Sequence, residues 1–163
     1  QNGGKVFRSK VGESNVVEKM IETKSKVGGE GSSGGFILSD FNYCRDGILT
    51  SGLIASIIKK DAFVDALNFM EKYHLIRDKV EYDLEYHDEI LKILYNKMKE
   101  KFGNVETLDG LKVIINEDSW VLVRKSNTEN AIRVSTESNS LEKVRNLHLE
   151  IKDLIKQSYE QIK

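Results

Sequence analysis

The apolar positions of this chain fall into two kinds of run, one spaced for helices and one alternating as in strands. Residues 5–8, KVFR, alternate as a short strand. After the loop SKVGES, with Ser14 or Asn15 as the expected cap, Val16, Val17, Met20 and Ile21 fall on one face of a helix reaching about Thr23. The glycine-rich VGGEGSSGG then opens into FIL, read as a strand. Residues 47–60, GILTSGLIASIIKK, are apolar almost all round, which predicts a well-buried helix. Asp61 is placed to cap a further helix in which Phe63, Ala66, Leu67 and Met70 share a face.

The character changes at about residues 72–86, KYHLIRDKVEYDLEY, charged and expected to be extended. Beyond it, Ile90, Ile93, Leu94 and Met98 align along a helix that Gly103 should end. Three strands follow, at 111–116, 119–126 and 131–138, the first two joined by the turn NEDS. Ser140 should cap a closing helix striped by Leu141, Val144, Leu147, Ile151, Leu154 and Ile155. The organisation expected is residues 1–72, a linker at 73–86 and a small α+β domain at 87–163. The first segment has too few strands for a covered sheet and begins on one without a partner. That predicts either something pairing with its edge or a chain that is the C-terminal piece of a longer protein.

Composition narrows the functional classes. With 25 basic and 26 acidic residues among 163, the formal net charge is −1, unlike a dedicated nucleic-acid binder. A single cysteine, Cys44, excludes an intrachain disulfide and points to a reducing, cytoplasmic setting. No run of about 18 apolar residues suggests a membrane span. Three histidines, His74, His87 and His148, stand far apart in sequence and are read as surface or linker residues. Trp120 is expected in the core, and Cys44 as a buried thiol.

Three polar stretches carry candidate chemistry. RKSNTENAIR, residues 124–133, sets hydroxyl and amide side chains between two arginines in a tight connection between strands. Guanidinium groups, hydroxyls and turn amides together suit a phosphate. The residues are Arg124, Ser126, Asn127, Thr128 and Arg133; the plainer reading is a solvated hairpin whose arginines pair with Glu129 or Glu137. In GGEGSSGG, Glu30 and Ser32 or Ser33 offer a carboxylate and hydroxyls amid glycines that permit close approach, as sugar hydroxyls would need. The alternative is a flexible loop. In RSKVGES, Lys10 and Glu13 flank a glycine between a strand and a helix, a common place for binding residues.

Taken in order, RSKVGES, GGEGSSGG, RDGILTSGLIASII and VRKSNTENAIRV resemble the signatures of the α-D-phosphohexomutases. These are the phosphoglucomutases, phosphomannomutases and phosphoglucosamine mutases. Ser9 stands where the family usually has threonine, and Glu129-Asn130 where it has Glu-Pro. The resemblance implies an α/β third domain, incomplete here, followed by a TBP-like α+β domain of antiparallel sheet and helices. It implies a four-domain enzyme around a cleft, in which a phosphoserine and a hexose bisphosphate intermediate move phosphate between C1 and C6. It also implies Mg2+ held by aspartates of the second domain. Arg124, Ser126, Asn127, Thr128 and Arg133 would grip the phosphate not being transferred, and Glu30 with Ser32 or Ser33 would read the sugar. Lys10 and Glu13 would lie near the reacting centre. Neither a Ser-His between small residues nor an Asp-x-Asp-x-Asp loop occurs in the sequence. The expectation is therefore the substrate-binding half of such an enzyme, inactive alone. The alternative is a stand-alone phosphosugar-binding module.

Overall fold

The computed structural model describes residues 3–31, 35–69, 73–126 and 129–163. The chain divides into two units, Gln1–Met70 and Glu71–Lys163.

In the first unit, helix α1 spans Glu13–Thr23 and buries Val16 and Met20. It starts earlier than the expected Ser14 or Asn15 cap: Gly12 is the N-cap, and no side chain caps the helix. Asn15 instead turns its amide back to donate to the Val11 carbonyl at 2.8 Å. Strands β1 (Val27–Gly29) and β2 (Phe36–Leu38) form an antiparallel ribbon, with Gly29 opposite Phe36. Ile37 joins Val16 and Met20 in the unit's small core, against which Val17 packs. Residues 5–8 form no strand, and Val6 is 88% exposed.

Helix α2 (Gly47–Ile57) begins where expected, and the Asp46 carboxylate accepts from the Leu49 amide at 2.8 Å. The expectation that α2 is buried is not met. None of its residues is buried, and Ile48 is 89% exposed. An apolar helix is covered only if a facing layer exists. The strands described in this unit are three residues long. Helix α3 follows at Asp61–Phe69.

The second unit is a four-stranded antiparallel sheet of order β3-β6-β5-β4. Its strands are β3 (His74–Glu81), β4 (Leu111–Asn116), β5 (Ser119–Lys125) and β6 (Ala131–Ser138). Strand β3 occupies most of the stretch expected as a linker. Its eight residues pair without interruption along β6, from His74 opposite Ser138 to Glu81 opposite Ala131. Its charged composition is that of an edge strand with few buried positions, which hides the alternation from a hydrophobicity reading. A 3-10 turn at Leu84–Tyr86 leads into α4 (His87–Phe102), which Gly103 ends as expected, and α5 (Leu141–Glu160) closes the chain. The Ser140 hydroxyl caps α5, accepting from the Lys143 amide.

Helices α4 and α5 cover one face of the sheet. Ile90, Leu94 and Met98 from α4 and Ile151 and Ile155 from α5 meet Val113, Val121, Val123, Ile132 and Val134, all fully buried. Two histidines read as surface residues belong to this layer. His87 is fully buried and its Nε2 lies 2.7 Å from the Tyr82 carbonyl. His148 sits beside Thr136, Nδ1 to Oγ1 3.1 Å, and burial pushes its pKa down, against the partial offset of Asp78. Helical spacing places both on the inward faces of their helices, which isolated positions in a sequence do not advertise.

Alternation puts Trp120, Leu122 and Arg124 of β5, and Arg133, Ser135 and Glu137 of β6, on the opposite face. Trp120 is thus half-buried outside the core, its indole N–H donating to Glu137 at 2.8 Å and its ring under Lys112 Nζ at 4.7 Å.

Candidate functional site

Strand β5 ends at Lys125, and the connection to β6 is closed by the Ser126 amide donating to the Ala131 carbonyl at 2.8 Å. Within it, the Ala131 amide donates to the Glu129 carbonyl at 2.8 Å. The register then sets Arg124 directly opposite Arg133. Like charges facing each other across a ladder are destabilising unless something anionic lies near.

Arg133 Nε donates to Ser126 Oγ at 3.1 Å, and its Nη2 lies 3.3 Å from Glu129 Oε1. Arg124 Nη1 donates to the Lys125 carbonyl at 3.2 Å, and its Nε lies 4.0 Å from Asp109. Ser126 is buried. Three of the five residues singled out in this stretch are therefore brought together: Arg124, Ser126 and Arg133. Asn127 and Thr128 lie outside the described residues. Of the two carboxylates considered as plain partners, Glu129 does pair with Arg133, whereas Glu137 is engaged by Trp120.

In the first unit a guanidinium joins two of the singled-out carboxylates. Arg45 Nε contacts Glu13 Oε2 at 2.5 Å and its Nη1 contacts Glu30 Oε2 at 2.8 Å. Glu13 opens α1 and Glu30 follows β1, so Arg45 ties a helix start to the end of a strand. The glycine-rich loop is closed at its base, where the Glu30 amide donates to the Gly35 carbonyl at 2.8 Å. The hydrogen bond from Arg45 lowers the Glu13 pKa, and Arg45 is raised in turn. Replacing Arg45 by Gln should move the Glu13 titration upward, read from its side-chain carboxyl carbon by NMR; an unmoved Glu13 would mean that the pair does not persist in solution.

Lys10 is exposed, two residues ahead of the α1 N-cap. Ser32 and Ser33 lie outside the described residues. Cys44 is half-buried rather than buried, with the Asn42 amide 3.1 Å from its sulfur.

Two residues of these surroundings escaped the sequence reading. Arg45 has no role assigned to it from the sequence, and Lys79 falls within the stretch expected as a linker. The polar Arg45-Asp46-Gly47 before an apolar helix was the available signal for the first. For the second, only strand pairing reveals the neighbour.

Residues 1–73 match the sequence model described as "Phosphoglucomutase/phosphomannomutase, alpha/beta/alpha domain III". Residues 79–154 match "Phosphoglucomutase/phosphomannomutase, C-terminal domain". The chain belongs to the phosphohexomutase family. It carries sequence of that family's domain III followed by its C-terminal domain, in agreement with the fold class expected. A probable phosphoglucosamine mutase of Methanopyrus kandleri is 31% identical over 99% of this chain and 36% of its own length. A phosphoglucomutase/phosphomannomutase of Thermococcus kodakarensis is 37% identical over 89% of this chain and 32% of its own length. This phosphohexomutase chain thus spans about a third of the relatives it matches. The crystal structure of a phosphoglucomutase/phosphomannomutase family protein from Burkholderia thailandensis matches in fold. Its TM-score is 0.75 at 24% identity, over 96% of this chain and 33% of that one.

Among the described residues no group of three or more His, Cys, Asp or Glu side chains could hold a metal ion. Among the described residues, no helix is long and apolar enough to cross a membrane.

Proposed function

We propose that this chain is the substrate-binding part of a phosphohexomutase. The whole enzyme would interconvert hexose 1-phosphates and hexose 6-phosphates in the cytoplasm, through a phosphoserine and a bisphosphate intermediate with Mg2+ supplied elsewhere. In the second unit, Arg124, Ser126 and Arg133, with Asn127 and Thr128, bind the phosphate that is not being transferred. In the first, Glu30 with Ser32 or Ser33 accepts and donates hydrogen bonds to sugar hydroxyls, and Lys10 and Glu13 line the approach.

The observation that carries the reading is the pairing of Arg124 with Arg133 across the ladder, with the Ser126 hydroxyl on the guanidinium. A dianionic phosphate monoester takes charge-assisted, bidentate bonds from such a pair and relieves their mutual repulsion. Its ester oxygen leaves the sugar free to turn, and the phosphoserine that the family resemblance implies would come from another domain. Alone it should bind and not turn over.

Amide resonances of residues 124–133 should shift on titration with glucose 1-phosphate, mannose 1-phosphate, glucosamine 6-phosphate and inorganic phosphate. Arg133→Ala should weaken each by about 1.5–3 kcal/mol, the worth of charge-assisted hydrogen bonds. If none of the four ligands perturbs these amides, the reading is wrong. Phosphate binding with no phosphosugar mutase activity in the longest natural form of the protein would favour a binding module instead.

A further inference from the structure

The register that sets Arg124 against Arg133 also sets Lys79 of β3 against Arg133 from the other side. Three cations therefore stand in one row across three adjacent strands, in the order Lys79, Arg133, Arg124. Neighbouring strands are about 4.8 Å apart, and residues directly opposite one another present their side chains to the same face. That face is the one away from α4 and α5, since Asp78 and Val80 flank Lys79 and Asp78 reaches Lys152 and His148 of α5.

A single carboxylate lies against two of the three cations. Glu129 Oε2 is 3.2 Å from Lys79 Nζ, and Glu129 Oε1 is 3.3 Å from Arg133 Nη2. Glu129 comes from the same connection as Ser126, and its two oxygens span the gap between β3 and β6. Lys79 also reaches Glu81 on its own strand at 3.0 Å, and both of its ion pairs are exposed ones; what sets Glu129 apart is that it touches Arg133 as well. A carboxylate bridging two cations engages donor groups of the kind a phosphate dianion takes with more charge and one more oxygen.

We propose that Lys79 is a third cation of the phosphate site, and that Glu129 is its built-in counter-ion, displaced when phosphate binds. The proposal rests on the reading of Arg124, Ser126 and Arg133 as a phosphate site. It adds a residue from the edge strand and a competitor from the turn. While Glu129 bridges, it holds Lys79 and Arg133 in their rotamers and offsets the repulsion along the row. When phosphate arrives, Glu129 swings to solvent, which its exposure at 44% permits. Affinity is then the difference between two anions competing for the same donors.

The test is titration of this chain with inorganic phosphate at low ionic strength, followed at the amides of 124–126 and 129–133. Lys79→Met should weaken binding about fivefold, the effect of removing one partly solvated charge at about 5 Å. Glu129→Gln should tighten it about threefold, because the internal competitor is gone while the amide keeps the side chain's shape. Both effects should shrink in high salt. Arg77→Met is the control. It removes the same charge from the same face of β3, one row away, opposite Ser135, and should leave the affinity within about twofold.

Equal losses for Arg77→Met and Lys79→Met would reduce the effect to net charge and overturn the assignment. So would an unchanged affinity in Lys79→Met, or weaker binding in Glu129→Gln. The first of these, with Arg133→Ala still impaired, leaves the phosphate site standing without Lys79; the second leaves it standing without Glu129 as its competitor. If the unmodified chain does not bind phosphate at all, both readings fall together. A preserved amide spectrum in each variant establishes that the fold is intact.

Discussion

Replacing Gly110 by Ala is expected to destabilise the second unit by about 2–6 kcal/mol, from left-handed backbone strain and overpacking together. Gly110 has φ +77°, and a Cβ there would lie 2.3 Å from the Val123 carbonyl oxygen, 2.6 Å from Arg124 Cβ and 2.9 Å from Arg124 Cα. Two of those three atoms are main chain, so no rotamer change relieves the contact. Strand β5 itself must move, and Arg124 moves with it. Gly103 provides the comparison. Its φ is +86° but nothing lies within 4 Å of a Cβ, so Gly103→Ala should cost only the conformational strain, about 1–3 kcal/mol. Urea unfolding of the two variants separates the terms; equal losses would show that the approach to β5 is not tight. If Gly110→Ala stays folded at low temperature, its phosphate affinity should fall as well, because the displaced residue is Arg124.

How much of this was legible beforehand differs between the two units for a physical reason. Strands β4, β5 and β6 carry alternating apolar residues because one face is covered, and they were read to within a residue or two. Helices α4 and α5 carry continuous apolar stripes for the same reason. Strand β3 escaped because it is an edge strand whose residues are mostly exposed, so its pairing with β6 leaves almost no trace in hydrophobicity. Lys79 went with it, since its neighbour Arg133 is more than fifty residues distant in sequence. Arg124, Ser126 and Arg133 were legible because a turn and its two strands are local. Arg45 was not, because the carboxylates it joins come from a helix start and a strand end. Helix α2 failed in the opposite direction: its composition was read as burial, but composition states only what a face would favour.

That distinction gives the second large effect. Ile132→Ala is expected to cost the second unit about 2–5 kcal/mol, the usual range for removing a large aliphatic side chain from a packed core. Ile132 is fully buried in the central strand β6, opposite Lys125 of β5 and Val80 of β3. Its loss leaves a cavity under the row that carries Arg133, and the surrounding strands can close it only by shifting that row. Ile54→Ala in α2 removes the same atoms from a residue that is 43% exposed, and Ala is the better helix former. Its cost in this chain should stay within about 0.5 kcal/mol. The pair is read by chemical denaturation of each variant against the unmodified chain. A loss for Ile54→Ala comparable to that for Ile132→Ala would mean that α2 has a cover in solution. All-round apolar composition on a helix would then report burial here as faithfully as alternation does on β6. The expected inequality says instead that β6, the strand carrying Arg133, is held by its own unit's core.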